Sequence, residues 1–227
     1  MGFSGEANPW LHLPATSPFV LPIDAPFINA LNGVIPKDSP QQIVTDLLPN
    51  PFSGLHEAPV VILLANPGLD SGDKRAFARA DRREAIMKGL QSAGGAEFWP
   101  LLPMFESTPA GRWWRTRTAD LAAEVGGAEV LAGKILAIDF HGYHSKQWLA
   151  PLVTFPSQHF GFALVRQAMG RGALIVMGRA SRHWLAGIPG LNGYRPKVEN
   201  RRSPRSAYLS RGNLSDSDFK RIVSALR

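Results

Sequence analysis

Residues 66–70 read Asn-Pro-Gly-Leu-Asp and directly follow an apolar run at 59–65. Proline fixes the backbone φ angle, and glycine lets the backbone approach a ligand closely. We therefore expect Asn66 to present a carboxamide where a buried strand opens into a crevice, and that group could hold a water molecule or the edge of a base. Because Asn, Pro and Gly are also common in turns, a plain strand-to-loop connection is the alternative interpretation.

A second group of reactive side chains lies at residues 139–145, which read Asp-Phe-His-Gly-Tyr-His-Ser. Aromatic rings can stack on a base, and the Asp139 carboxylate can accept hydrogen bonds from an exocyclic amine. His141 and His144 could instead ligate a metal ion, but no further paired histidine or carboxylate pattern supports that chemistry. The remaining alternative is a loop of satisfied polar groups around an aromatic residue of the core.

Basic residues are concentrated in the late segment 195–212, which carries six of them against one acid, Glu199. Serines in this segment can donate hydrogen bonds to phosphate oxygens, and the pair Tyr208 and Leu209 could wedge between stacked bases. A solvated basic loop is the alternative, but the apolar pair inside the charged segment favours nucleic acid. The residues expected to bind DNA are Arg201, Arg202, Ser203, Arg205, Ser206, Tyr208, Leu209, Ser210 and Arg211.

The elements around these motifs predict a parallel sheet. Apolar runs predict strands at 59–65, 134–139, 173–177 and, more weakly, 197–200. Helices are expected near 74–92, 113–125, 157–169, 179–185 and 215–226, the last with Ser215 as its N-cap. Strands that alternate with helices form a parallel sheet covered on both faces, and ligands bind beyond the carboxyl ends of such strands. Residues 66–70 and 139–145 both lie at strand ends of this kind. Trp113 and Trp114 are expected to be core or interface residues.

The first 58 residues are rich in proline and poor in charge, which breaks most periodicity. We expect them to form an N-terminal arm packed across the core, and residues 59–227 to form the main α/β domain. One short helix is predicted in the arm, from Ser39 as N-cap towards Leu48.

The composition excludes several kinds of chemistry. The chain has 227 residues, enough for one sizeable core, and its formal net charge of +7 favours anionic partners such as nucleic acid, phosphates or an acidic membrane surface. It has no cysteine, which rules out disulfides, thiolate zinc sites, iron–sulfur clusters and a cysteine nucleophile. No apolar run has the length of a membrane span and no signal-peptide pattern is present, so we expect a cytoplasmic protein without a membrane partner.

In this order, the motifs resemble the uracil-DNA glycosylase superfamily, and most of all its mismatch-specific branch. That branch has a buried strand that ends in an Asn-Pro-Gly-Leu turn, as residues 61–71 do here. Its third strand ends with a glycine and enters a helix, as in Ile-Val-Met-Gly-Arg-Ala-Ser at 175–181. Its late loop has a Pro-Ser-x-Leu-Ser character, similar to residues 203–210 with a short insertion. The resemblance covers about residues 59–226.

The resemblance implies a three-layer α/β/α sandwich around a mostly parallel four-stranded sheet. It also implies hydrolysis of an N-glycosidic bond in duplex DNA after one nucleotide has been flipped out. Asn66 would hold the attacking water, Tyr208 or Leu209 would fill the gap in the duplex, and the arginines would clamp phosphates. No cofactor, metal ion or obligate protein partner is implied. The expected catalytic residues are Asn66 and Asp139, and the expected base pocket consists of Pro67, Gly68, Asp70, Phe140, His141, Tyr143 and His144.

Departures from the family pattern bear on the substrate. The branches with iron–sulfur clusters or an Asp-Pro-Tyr motif do not match this chain, and Ser203 stands where some relatives have His or Asn. Asp139 stands where some relatives read uracil with Asn, and an ionised carboxylate suits the amino group of a cytosine derivative, as in phage DNA. The target is therefore expected to be a modified or mismatched pyrimidine. A non-catalytic nucleic-acid-binding module and a nucleotide- or nucleoside-acting hydrolase are the alternatives.

Overall fold

The computed structural model of the chain describes residues 7–70, 72, 77–151, 153–199 and 207–227. Its strands are β1 (Phe52–Leu55), β2 (Val60–Leu64), β3 (Gly95–Ala96), β4 (Ile135–Asp139), β5 (Leu174–Met177) and β6 (Lys197–Glu199). They form one six-stranded sheet in the order β3-β1-β4-β2-β5-β6. Strands β4, β2, β5 and β6 are parallel to one another, whereas β1 is antiparallel to both β4 and β3.

The four parallel strands are the four that the apolar runs predict, so the α/β class is confirmed. The predicted number of four strands is wrong, because β1 and β3 extend the sheet at the β4 edge. Both additional strands are short, and β1 contains Gly54 at φ +118°. A Cβ atom at Gly54 would clash with the carbonyl oxygen of Ile135, so the close approach of β1 to β4 depends on this glycine.

The helices flank this sheet. They are α1 (Ala25–Val34), α2 (Ala80–Gln91), α3 (Pro109–Val125), α4 (Ala128–Ala132), α5 (Gln158–Gly170), α6 (Ser181–Gly187) and α7 (Asp216–Leu226). Helices α3 and α7 begin with a side-chain N-cap. The Thr108 hydroxyl accepts the backbone N–H of Gly111 at 3.0 Å at the start of α3. Ser215 accepts from Asp218 at 3.1 Å, which confirms it as the N-cap of α7. In the described part of the chain, no helix combines the length and the apolar character needed to cross a bilayer.

Alternate side chains of the strands point into two separate cores. Val61 and Leu63 of β2 belong to the first cluster, together with Trp184 of α6. Ile62 of the same strand belongs to the second cluster, together with Phe219 of α7. The sheet is therefore covered by helices on both faces, which leaves its strand ends as the place where a ligand can enter.

The N-terminal segment differs from the prediction in two ways. Its helix is α1, whereas residues 39–48 form turns and a single bridge from Val44 to His144. Asn32 explains the turns, because its side chain both accepts from the N–H and donates to the carbonyl of Ile43, each at 2.9 Å. In addition, β1 lies inside the sheet, so the first 58 residues contribute a strand to the main domain and do not only pack across it.

We predict that Gly54→Ala lowers the free energy of unfolding by roughly 3 kcal/mol, because the new Cβ meets the β4 backbone at a positive φ angle. Gly89→Ala is the matched control, since Gly89 lies in α2 with open space around it. There the same substitution should raise the free energy of unfolding by up to about 1 kcal/mol. Urea unfolding of the three proteins measures both changes, and equal effects at the two positions would contradict the account of β1.

Candidate active site

A cavity of about 300 Å³ opens at the carboxyl ends of the parallel strands. Asn66 follows β2, Asp139 ends β4 and Arg179 follows β5, and all three line this cavity. The chain passes from β2 to β4 on one side and then back to β5 on the other, so β2 is the point where the strand order reverses. Parallel sheets open into a ligand-binding crevice at this point, and the structure thus brings the two expected catalytic residues to one site.

The orientation of the Asn66 carboxamide is set by a chain of hydrogen bonds. Its Nδ2 donates to Ser145 Oγ at 2.9 Å, and Ser145 Oγ in turn donates to the carbonyl of Gln147 at 3.0 Å. Because the single hydroxyl proton is used towards Gln147, Ser145 can only accept from Asn66. Among the described residues, none donates a hydrogen bond to Asn66 Oδ1. The carbonyl oxygen of Asn66 therefore faces the cavity, where it can accept a hydrogen bond from a bound water molecule.

Asp139 is almost fully buried at the end of β4. Burial raises the pKa of its carboxyl group well above the usual value, and the positive charge of Arg179 counteracts part of that rise. Its backbone N–H donates to Pro51 at 2.8 Å, while Oδ1 accepts no hydrogen bond from the described residues. The site thus favours the neutral acid, which can both donate and accept a hydrogen bond.

Of the other expected pocket residues, four line the cavity: Pro67, Gly68, Asp70 and His144. The ring nitrogens of His144 lie 2.8 Å from the carbonyl oxygen of Gly68 and 3.0 Å from that of Leu48. This histidine consequently holds the Asn66–Gly68 turn against the N-terminal segment. Its ring also meets Phe77 edge-on, with 4.9 Å between the ring centroids.

The three remaining expected pocket residues are packed away from the cavity. Phe140 contacts Trp184 in the core, and His141 packs against Phe155. Burial and the neighbouring His144 lower the pKa of His141 to about 3, so it is neutral at physiological pH. Tyr143 donates its hydroxyl to Asp24 at 2.7 Å. These side chains join the loop to the core, which corresponds to the alternative interpretation of residues 139–145.

Aromatic rings that the sequence analysis did not assign to the site form the walls of the cavity. Five of them line it, namely Phe77, Phe98, Trp99, Trp113 and Trp114. Trp113 and Trp114, expected to be core or interface residues, are half-buried, pack against the second core cluster and also line the cavity. Flat walls of this kind suit a flat ligand such as a nucleobase.

Positive charge surrounds the cavity. Arg82, Lys146 and Arg179 line it, whereas its lining carboxyl groups are those of Asp70 and Asp139. Since burial favours the neutral form of Asp139, the described lining has a net positive charge. The cavity can therefore attract an anion, or stabilise negative charge that develops on a bound molecule.

The late basic segment is described only in part. Leu209 is 1 % exposed in the second core cluster, so the structure places it in the interior and not as a wedge between bases. Arg211 forms an ion pair with Glu124 and lies over Phe219, which makes it a contact between α3 and α7. The backbone oxygen of Ser210 accepts from Asn213 at 3.0 Å in a turn. The residues Arg201, Arg202, Ser203, Arg205 and Ser206 lie outside the described residues.

Tyr208 is connected to the cavity through Arg117 and Trp113. The Arg117 guanidinium stacks on the Tyr208 ring at 4.8 Å and on the Trp113 ring at 3.9 Å. Trp113 itself lines the cavity. Burial lowers the pKa of Arg117, and the nearby Arg179 adds to that effect. Tyr208 is thus joined to the cavity wall through one shared cation.

One of the missed residues had a recognisable signal in the sequence. Arg82, Ile86 and Leu90 recur every four residues in α2 and are all buried, so Arg82 occupies a core position of the helix. An arginine at such a position has to be paired or functional. No comparable pattern marks Phe77 or Trp99, the second of which begins a 3₁₀ helix of only three residues (Trp99–Leu101).

Within the described ranges, no three His, Cys, Asp or Glu side chains are grouped so that they could hold a metal ion. Comparison with known proteins adds no further assignment. No protein-family model matches the chain, and no curated protein or solved structure is significantly similar to it.

We predict that Asp139→Asn stabilises the protein at neutral pH. The folded state raises the pKa of Asp139, so the wild type loses stability as the pH rises from the unfolded pKa near 3.8 through the folded pKa. Asparagine has no such dependence, and the two proteins should therefore be equally stable only in acid. Urea unfolding between pH 4 and pH 8 measures the difference. A difference that does not change with pH would contradict the buried, neutral acid.

Proposed function

We propose that the chain is a DNA glycosylase that hydrolyses the N-glycosidic bond of a flipped-out, modified or mismatched pyrimidine. The observation that carries the proposal is the cavity at the strand ends. There, Asn66 presents an acceptor oxygen, Asp139 presents a buried carboxyl group, and aromatic rings form flat walls. The resemblance of residues 59–226 to the uracil-DNA glycosylase superfamily supports the same reaction, on a three-layer sandwich of that type.

Catalysis in this proposal depends on position more than on proton transfer. An amide is a very weak base, so Asn66 does not take a proton from the water molecule; it holds the water by accepting a hydrogen bond from it and directs the water oxygen at the sugar C1′. Holding the water in place removes much of the entropic cost of a bimolecular attack. The sugar becomes cationic and the base anionic as the bond breaks, and the groups around the cavity stabilise these charges.

The surroundings of the cavity also support the proposal that the chain binds DNA. A glycosidic bond in stacked DNA cannot be reached, so the nucleotide has to rotate out of the duplex. The aromatic walls would stack on the extruded base, and the backbone at Pro67 and Gly68 would line its edge. The formal charge of +7, with Arg117 and Arg179 beside the cavity, would attract the phosphates.

A second candidate is a hydrolase that acts on nucleosides or nucleotides. The observation that favours it is the interior position of Leu209 and the ion pair of Arg211 with Glu124, because neither residue is then available to a duplex. The cavity would accept a free nucleoside equally well. Assays with duplex DNA and with the matching free nucleoside distinguish the two candidates.

We predict that Asn66→Ala slows base release at least about 100-fold while the affinity for DNA changes little, because only the water-holding oxygen is lost. Asn29→Ala is the matched control, since Asn29 is exposed on α1. Release of the base from labelled duplexes and binding to the same duplexes measure the two properties. A wild-type protein that releases no base, or a variant as active as the wild type, would refute the proposal.

The state of Asp139 determines which base edge can be read. The ionised carboxylate only accepts hydrogen bonds, which suits the amino group of a cytosine derivative. The neutral acid that burial favours can also donate to a carbonyl oxygen, so it suits uracil and thymine as well. The preference for a cytosine derivative expected from an ionised Asp139 therefore applies only above the pKa of this group.

We predict that the ratio of uracil release to release of a cytosine derivative falls as the pH rises through the pKa of Asp139. Loss of the acid proton removes the donor to the uracil carbonyl, while the acceptor for the cytosine amino group remains. Competition assays with both bases in otherwise identical duplexes measure the ratio. Asp139→Asn should show a ratio independent of pH. A wild-type ratio that is equally flat would contradict the role of Asp139 in reading the base.

A further inference from the structure

Ser53 of β1 is a buried side chain whose hydroxyl has no hydrogen-bond partner among the described residues. Asp139, at the end of β4, is in the same situation, because its Oδ1 accepts no hydrogen bond there either. Both side chains line the cavity of the candidate active site. A buried polar atom without a partner costs free energy, so two such atoms at one cavity indicate a ligand that supplies their partners.

The register of the sheet places these two side chains on one face. Ser53 lies directly opposite Ala137 in the antiparallel pairing of β1 with β4, and Asp139 is the second residue after Ala137. Since alternate residues of a strand share a face, all three side chains point to the same side of the sheet. Diagonal neighbours of this kind are roughly 7–8 Å apart, so the two polar groups lie near each other without touching.

The residue between the two polar groups leaves room for a ligand. Ala137 also lines the cavity, and its side chain is only a methyl group. Phe52 and Ile138, the adjacent pair in the same register, belong to the first core cluster and so point to the opposite face. The cavity side of the sheet therefore presents a hydroxyl and a carboxyl group with a small apolar surface between them. This pattern suits the edge of a flat ring that carries two separated polar atoms.

We propose that Ser53 is a specificity-determining residue, which hydrogen-bonds the carbonyl oxygen at C2 of the pyrimidine while Asp139 hydrogen-bonds the substituent at C4. This inference rests on the proposed glycosylase function, for which it supplies a second residue that reads the base. Because Ala137 separates the two groups, they pair with the two outer polar atoms of the base edge and not with two adjacent ones. Asp139 pairs with the amino or carbonyl group at C4, so the carbonyl oxygen at C2 remains for Ser53.

The two residues then have different tasks. The group at C4 differs between cytosine and uracil, and the protonation state of Asp139 determines which of them is preferred. The carbonyl oxygen at C2 is common to both bases, and the Ser53 hydroxyl can rotate to donate its proton to it. A ring without this oxygen would leave the hydroxyl buried and unpaired, which lowers the affinity for that ring. Ser53 thus selects the pyrimidine class, and Asp139 selects within it.

The first test separates a binding role from a structural one. Ser53→Ala removes an unpaired hydroxyl, so the variant should unfold at the same urea concentration as the wild type or at a higher one. Ser157→Ala is the matched control, because the buried Ser157 hydroxyl also has no partner among the described residues but directly precedes α5, outside the cavity lining. A marked loss of stability in Ser53→Ala alone would reveal a structural partner of the hydroxyl and would overturn the inference.

The second test measures base release. Ser53→Ala should slow the release of uracil from duplex DNA roughly 3- to 10-fold, because one hydrogen bond to the base is lost, whereas Ser157→Ala should leave the rate unchanged. In 2-thiouracil and 4-thiouracil one carbonyl oxygen is replaced by sulfur, which is a weak acceptor. Ser53→Ala should slow the release of 4-thiouracil by the same factor as that of uracil, and the release of 2-thiouracil by a smaller factor. An unchanged rate for uracil, one factor for all three bases, or the smaller factor for 4-thiouracil would overturn the inference.

Free bases provide the test if the wild type releases no uracil. Calorimetry should then show that the wild type binds free uracil or free cytosine, which share the carbonyl oxygen at C2, and that Ser53→Ala binds the same base roughly 3- to 10-fold more weakly. Ser157→Ala should bind it as the wild type does. Binding of neither base, or equal affinities, would overturn the inference. Failure of the proposed function gives a different result, because the wild type would then release no base from any duplex, whatever its affinity for free bases.

Discussion

The hydrogen bond from Asn66 Nδ2 to Ser145 Oγ links the two segments that contain most of the candidate site. Because Ser145 donates onward to Gln147, the carboxamide cannot turn over without leaving two acceptor oxygens, Asn66 Oδ1 and Ser145 Oγ, opposed. The acceptor oxygen therefore faces the cavity as a consequence of a contact between residues far apart in the chain. The contact of His144 with the carbonyl of Gly68 fixes the same two segments a second time.

The electrostatics of the cavity follow from how deeply each group is buried. Asp139 and Arg82 are both almost inaccessible, but only the carboxyl group can respond by taking up a proton. A buried arginine side chain stays charged, so the free-energy cost of removing that charge from water has to be offset by the groups around it. The rings of Phe77 and Trp99 meet part of that cost without neutralising the cation. In the candidate site, the carboxyl group of Asp139 therefore favours its neutral form, whereas the arginine side chain remains charged.

The sequence was informative where burial left a continuous pattern. The parallel strands could be predicted because they are apolar on both faces, and Asn66 and Asp139 could be placed together because parallel strands end at one edge. Strands β1 and β3 could not be predicted, since they have only four and two residues and are too short to show a hydrophobic period. The basic residues around Leu209 favour a wedge between bases, whereas its side chain completes the second core cluster. Trp113 and Trp114 reach the cavity through the packing of α3, which local sequence does not encode.

The pairing of β1 with β4 has a consequence for how the molecule is made. Asn50, just before this strand, and Ser53 within it line the cavity, and the carbonyl oxygen of Leu48 lies against the His144 ring. The partners of Ser53 and Leu48 lie in β4 and at His144. The contacts can therefore form only after the ribosome has released the chain as far as these later residues. An antiparallel pairing over such a distance closes a long loop, which slows folding. The cavity of a nascent chain is accordingly incomplete until its synthesis is well advanced.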